Sequence, residues 1–136
     1  MLSGVKEIKF NVNGDERGKL VVAESLKDIP FKIARIFYIF ASDADVVRGC
    51  HANRRSEFVL INVNGTSKVK VMDGKNEMIY LLDKPYKGLY LPKMVWKEMY
   101  DFSPDSVLLT LASEPYDSKE YIRDYREYIR EVWGDE

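Results

Sequence analysis

The sequence predicts an all-β domain, a sandwich, jelly roll or barrel, closed by one short C-terminal helix. Three observations predict it. About ten short runs are rich in β-branched and aromatic residues. Turn signals separate them at roughly 8–12 residues. Apolar residues take up helical spacing only after Asp117. The 136 residues, 1–136, read as a single domain, because that length buries one sound core and is short for two.

The elements follow in order. Residues 8–12 alternate apolar and polar before a turn at Asn13-Gly14-Asp15. Residues 19–23 follow Gly18, and residues 34–40 (Ala-Arg-Ile-Phe-Tyr-Ile-Phe) are β-branched and aromatic. Beyond the charged loop Asp43-Ala44-Asp45 come strands at 46–51 and 58–63. Asn64-Gly65 is a strong hairpin signal, and residues 68–72 alternate after it. Asp73-Gly74 marks the next turn, and strands at 77–82, 88–91, 97–102 and 107–112 complete the set. Asp117 with Glu120 makes a capping box for a helix, along which Ile122, Tyr125, Ile129 and Val132 recur at helical spacing. The Arg and Glu residues of that helix read as a solvated face.

Composition excludes several function classes. Charged residues make up 32% of the chain, yet the formal net charge is −1, so there is no basic footprint for nucleic acid. No apolar run approaches the ~20 residues that span a bilayer, which predicts a protein without membrane association. The single cysteine, Cys50, allows no internal disulfide and suits a reducing cytoplasm. Nine tyrosines fit a sugar or nucleotide pocket as well as a packed β-core.

Candidate chemistry gathers around the only histidine, His51, in Arg48-Gly49-Cys50-His51-Ala52-Asn53-Arg54-Arg55-Ser56-Glu57. In an extended strand His51 and Asn53 share one face with Gly49, while Cys50 and Ala52 point into the core. Arg48 faces away in a regular strand, but Gly49 permits a bulge that turns it inward, so its direction stays open. A lone histidine in a β-rich chain has a structural reading too. Flanking arginines suited to phosphate and a neutral amide on the same face favour the functional one. Its ordinary pKa of ~6.5 suits proton transfer at neutral pH, and nearby arginines favour the neutral, basic form. No nucleophile elbow, phosphate loop or paired zinc cysteines are present.

The same segment is close to the metal motif of cupins, His-x-His-x3-Glu followed by a glycine turn and a further histidine. His51, Glu57 and Gly65 keep their places, but Asn53 stands for the second histidine and Lys97 for the last. An ammonium has no lone pair, so this donor set is poor for a divalent ion and no metal is expected. Further segments resemble the sugar-nucleotide 3,4-ketoisomerases of the cupin superfamily. They are residues 28–40, Arg48-Gly49-Cys50-His51-Ala52, 85–90, 96–103, 111–113 and 116–125. The resemblance runs in order over roughly residues 5–130.

That resemblance implies a cupin jelly roll, or double-stranded β-helix, forming a homodimer that exchanges N-terminal strands. It implies a dTDP-linked 4-keto-6-deoxyhexose as substrate, a keto group moved from C4 to C3 through an enediol, and no cofactor. The product would feed an aminotransferase that makes a 3-amino sugar. His51 takes the place of the catalytic base. Arg48 and Arg35, with Tyr38 beside it, match substrate-binding positions, and Arg17 and Lys97 match pocket positions that vary in the family. Asn53 replaces the family's second histidine, Phe58 a glutamine and Phe37 a tyrosine. An amide cannot shuttle a proton, so either His51 carries both transfers or the chemistry has diverged. A 3,5-epimerase-like enzyme and a non-catalytic nucleotide-sugar-binding cupin are the alternatives.

Overall fold

The computed structural model describes residues 2–134; Met1, Asp135 and Glu136, the ends of the span expected to form one domain, lie outside the described residues. Its strands are β1 (Lys6–Lys9), β2 (Val12–Asp15), β3 (Gly18–Val21), β4 (Arg35–Phe40), β5 (Arg48–Asn53) and β6 (Phe58–Asn64). They continue with β7 (Ser67–Met72), β8 (Glu77–Leu82), β9 (Lys87–Leu91), β10 (Trp96–Tyr100), β11 (Val107–Ala112) and the two-residue β12 (Tyr121–Ile122). Helix α1 (Tyr125–Trp133) is the last element among the described residues.

Strands β1, β9, β6, β11 and β4 form one antiparallel sheet in that order, and β12, β5, β10, β7 and β8 form the other. From β4 onward every connection except β7–β8 passes from one sheet to the other. This is the winding of a cupin jelly roll. Between the sheets Leu60, Leu89 and Leu91 meet Val69, Val71 and Leu82, all fully buried. Each such side chain contributes about 1.5–3 kcal/mol by leaving water. Strand β6 is apolar on both faces for a physical reason. Leu60 points into that core, while Val59 and Ile61 meet Phe10, Ile29 and Phe31 from the N-terminal segment.

Helix α1 covers the outer face of the second sheet. Asp124 caps it, its carboxylate accepting from the Arg126 and Glu127 amides at 2.9 and 3.4 Å. Tyr128 is buried beneath it against Trp96, Ala52 and Ile122, and its hydroxyl donates toward the Met94 carbonyl at 2.8 Å. Trp133, at the far end, donates its indole N–H to the Asp73 carbonyl at 2.7 Å.

Three expectations need correction. Asn64-Gly65 closes no hairpin: β6 and β7 lie in different sheets, and the turn is a corner between them. Gly65 takes the left-handed φ of 66° that the dipeptide advertises, but its partners come from elsewhere. The Thr66 amide donates to Ser103 Oγ at 2.8 Å, and buried Asn62 joins Ser67 and Ser106 across the same corner. The turn expected at Asn13-Gly14-Asp15 instead lies inside the β2–β3 hairpin, which reverses at Glu16-Arg17. There the Arg17 amide and guanidinium grip the Asp15 carboxylate at 2.9 and 2.7 Å. Finally, Asp117 caps only a 3₁₀ turn, Ser118–Glu120, and the helix begins after β12.

Candidate active site

The site begins with a fault in strand β5. Between its pairings with β10 the register slips, Lys97 facing His51 while Glu98 already faces Gly49. Gly49 and Cys50 take up the extra length with φ of 85° and 56°. A Cβ at Gly49 would stand 3.0 Å from both the Lys97 carbonyl and Met99 Sδ, so only glycine fits there without displacement. The bulge decides what the sequence left open: Arg48, Gly49 and His51 all line one cavity of about 410 Å³. Cys50 and Ala52 pack on the opposite side against Trp96, Ile122 and Tyr128.

The other predicted residues fall into three groups. Lys97 and Tyr38 line the same cavity. Asn53, fully buried, sits beside them and accepts from Lys97 Nζ at 3.1 Å. Arg35 stands behind the wall, stacked on Phe37 and Tyr116 and donating to the Tyr121 hydroxyl at 3.3 Å. Arg17 lies outside this chain's cavity altogether, its side chain 86% exposed at the hairpin tip and paired with Asp15. Glu57 is occupied elsewhere, accepting from the Tyr90 hydroxyl at 2.5 Å.

The reading of the C-terminal segment as helix hid several contributors. Tyr116, Tyr121 and Arg123 line the cavity, and Thr110 from β11 closes its other side. The His51 ring lies 4.8 Å from that of Tyr121, whose own face carries the Arg123 guanidinium at 4.7 Å. Glu120, expected to cap a helix, is instead buried behind Asn53. Its carboxylate accepts from the Arg55 and Ser56 amides at 2.9 Å each and from the Ser56 hydroxyl. A two-residue strand carries no periodicity, so β12 left no signal that would have separated these residues from the helix.

Electrostatics sort the titratable groups. Burial, then the Lys97 and Arg123 cations, pull the His51 pKa from its ordinary 6.5 down to about 4. His51 is therefore a neutral base at pH 7. Its Nδ1 is buried without a hydrogen-bond partner of good geometry, the Gly49 backbone only opposing the shift in part. Burial likewise draws Lys97 down to about 7, against the pull of Glu120. Burial alone would raise Glu120, but the Ser56 and Arg55 donors and the Asn53 amide hold it below the usual carboxylate range. The Lys97 ammonium at the cavity wall thus donates to the Asn53 amide oxygen, and the anchored Glu120 carboxylate lies close enough to oppose its shift.

The fold is a cupin jelly roll, and its cavity is lined by a neutral imidazole and a buried lysine. Comparison with known proteins narrows that class. Residues 3–133 match the family described as WxcM-like, C-terminal (FdtA), and the chain belongs to it. It is 43% identical over 130 residues to a TDP-4-oxo-6-deoxy-α-D-glucose-3,4-oxoisomerase of Aneurinibacillus thermoaerophilus, covering 93% of this chain and 94% of that one. Among solved structures it is similar to the 3,4-ketoisomerase QdtA of Thermoanaerobacterium thermosaccharolyticum, described as an H51N mutant in complex with TDP-4-keto-6-deoxyglucose. The TM-score is 0.95 at 43% identity, over 97% of this chain and 96% of that one. A 3,4-ketoisomerase of Helicobacter canadensis matches with a TM-score of 0.93 and 43% identity, over 95% and 97%. The protein is accordingly an isomerase.

Proposed function

We propose that this protein moves the keto group of a dTDP-linked 4-keto-6-deoxyhexose from C4 to C3, with His51 as the base. The observation that carries this reading is His51 itself, a neutral imidazole lining a cavity whose rim holds Arg48 and Arg123. The C4 carbonyl acidifies the C3 proton, His51 removes it, and the enediol is reprotonated at C4. Arg48 and Arg123 suit the diphosphate. Thr110 Oγ1, buried in the cavity wall without a partner, suits a sugar hydroxyl. The 3-keto product would feed an aminotransferase that makes a 3-amino sugar.

The dimer belongs to the same reading. Val12, Leu20 and Val22 are exposed on and beside the β2–β3 hairpin, and Ile36, Tyr38 and Phe40 are exposed on the edge strand β4. Exchange of the hairpins between two copies covers both apolar patches and brings Arg17 to the partner's cavity.

Incubation with dTDP-4-keto-6-deoxyglucose in deuterated water, coupled to a 3-aminotransferase, tests the reaction. The expected result is a trapped 3-amino product with deuterium at C4. No trapped product and no exchange at C3 or C4 would sink the proposal. Tight dTDP binding under those conditions would select a non-catalytic binding cupin, the reading that Asn53 favours. Exchange at C5 alone would select an epimerase.

A further inference from the structure

The reaction moves two protons, and the amide of Asn53 can carry neither. Besides the proton that leaves C3 for His51 and the proton, exchanged with solvent there, that His51 delivers to C4, a hydroxyl proton must leave O3 and another arrive at O4. Arginines hold their protons at neutral pH, so Arg48 and Arg123 cannot be the second carrier.

Lys97 is placed differently. It is the direct cross-strand partner of His51, so the two side chains stand on one face of the sheet and both line the cavity. Its Nζ is buried and makes one hydrogen bond among the described residues, to Asn53 Oδ1 at 3.1 Å. The Phe58 ring faces it at 4.6 Å. Two of the three ammonium donors therefore remain for oxygens that enter the cavity. Asn53 turns its amide oxygen toward Lys97, while its Nδ2 is buried with no partner of hydrogen-bond geometry.

Resting on the ketoisomerase reading above, we propose that Lys97, held by the Asn53 amide oxygen, is the oxygen-side proton carrier. The step balances. His51 takes the proton from C3 as the C3–C4 double bond forms and the C4 carbonyl opens, and Lys97 gives its proton to O4. The neutral amine then takes the proton from O3 as the C3 carbonyl forms, and the imidazolium gives its proton to C4. Both side chains end as they began, with no oxidant or reductant. In this way the chain keeps two carriers although its second histidine position holds Asn53.

The titratable and charged groups around the cavity that Lys97 lines are His51 and Arg48 from β5 and Arg123 after β12, with Glu120 nearby. Burial outweighs the pull of Glu120, so wild-type kcat should fall as pH rises through about 7, where the ammonium is lost. The decisive variant is Lys97→Arg, which keeps the charge but cannot release a proton at neutral pH. Its dTDP affinity and its solvent exchange at C3 of recovered substrate should persist, while 3-keto formation falls about 100-fold or more. Lys97→Met should lose the alkaline limb of the kcat profile together with turnover. Wild-type kcat in Lys97→Arg overturns the proposal, as does a wild-type profile flat through that limb, which needs no variant to fold. A wild-type chain with no ketoisomerase activity overturns this proposal and the function on which it rests.

Discussion

His51 and Lys97 are both pushed toward their neutral forms by burial, yet near pH 7 they end in different states. One is a free base, the other still a partial acid. Replacing His51 by Asn should cost about 10²–10⁴ in kcat while dTDP affinity, measured calorimetrically, stays within a few-fold. The shifted pKa also fixes a sign for stability. In the unfolded chain His51 binds its proton near 6.5, whereas the folded chain resists it down to about 4. Its contribution is therefore complete above 6.5 and is lost as pH falls toward 4. Melting the wild type against His51→Gln should show the wild type losing ground over that window, by on the order of 2–3 kcal/mol. Parallel melting curves across the window would show that the imidazole is not held neutral.

At the scale of elements, two glycines with left-handed backbones separate stability from function. Gly49 makes the bulge that faces Arg48 into the cavity, and Gly65 makes a corner remote from it. Alanine at either position should lower stability by about 1–3 kcal/mol in urea titrations. Only Gly49→Ala should also lower kcat of the folded protein, since it displaces the backbone between Arg48 and His51. Strands β3 to β11 were legible because inward and outward residues alternate or, in β6, because both faces are covered, whereas the strand expected over 8–12 is split between β1 and β2. The corner was not, because Asn-Gly signals a left-handed turn without saying whether the chain returns to its own sheet. Similarly, the grouping of His51, Arg48, Asn53 and Lys97 could be found within strand parity, motif spacing and resemblance. Arg123, Tyr121 and Glu120 could not, because Ser118–Glu120 and β12 are too short to interrupt a helical pattern.

The whole molecule leaves one of its predicted pocket residues stranded. Arg17 sits at the tip of an exposed hairpin, away from this chain's own cavity, and that placement sets up a complementation test. Arg17→Ala and His51→Asn should each be poorly active alone. Co-expressed, they should recover roughly a quarter of wild-type activity, because half the dimers are mixed and half the sites in those carry both wild-type residues. Recovery no greater than the sum of the two variants would place Arg17 outside the partner's site. Leu20→Asp puts a charge in the apolar patch and should shift the protein to monomer in sedimentation velocity.

The seat of α1 also gives the protein two distinguishable optical reporters. Trp96 is 4% exposed, with the rings of Tyr125 and Tyr128 at 5.1 and 5.7 Å, whereas Trp133 is 40% exposed at the helix end. Iodide should quench the fluorescence of Trp133 and spare that of Trp96. The helix tyrosines Tyr125 and Tyr128, 5.1 and 5.7 Å away, should add to energy transfer into Trp96, and that share should be lost when the helix undocks. A partial drop in that transfer before the far-ultraviolet strand signal is lost would show the helix leaving a jelly roll that still stands.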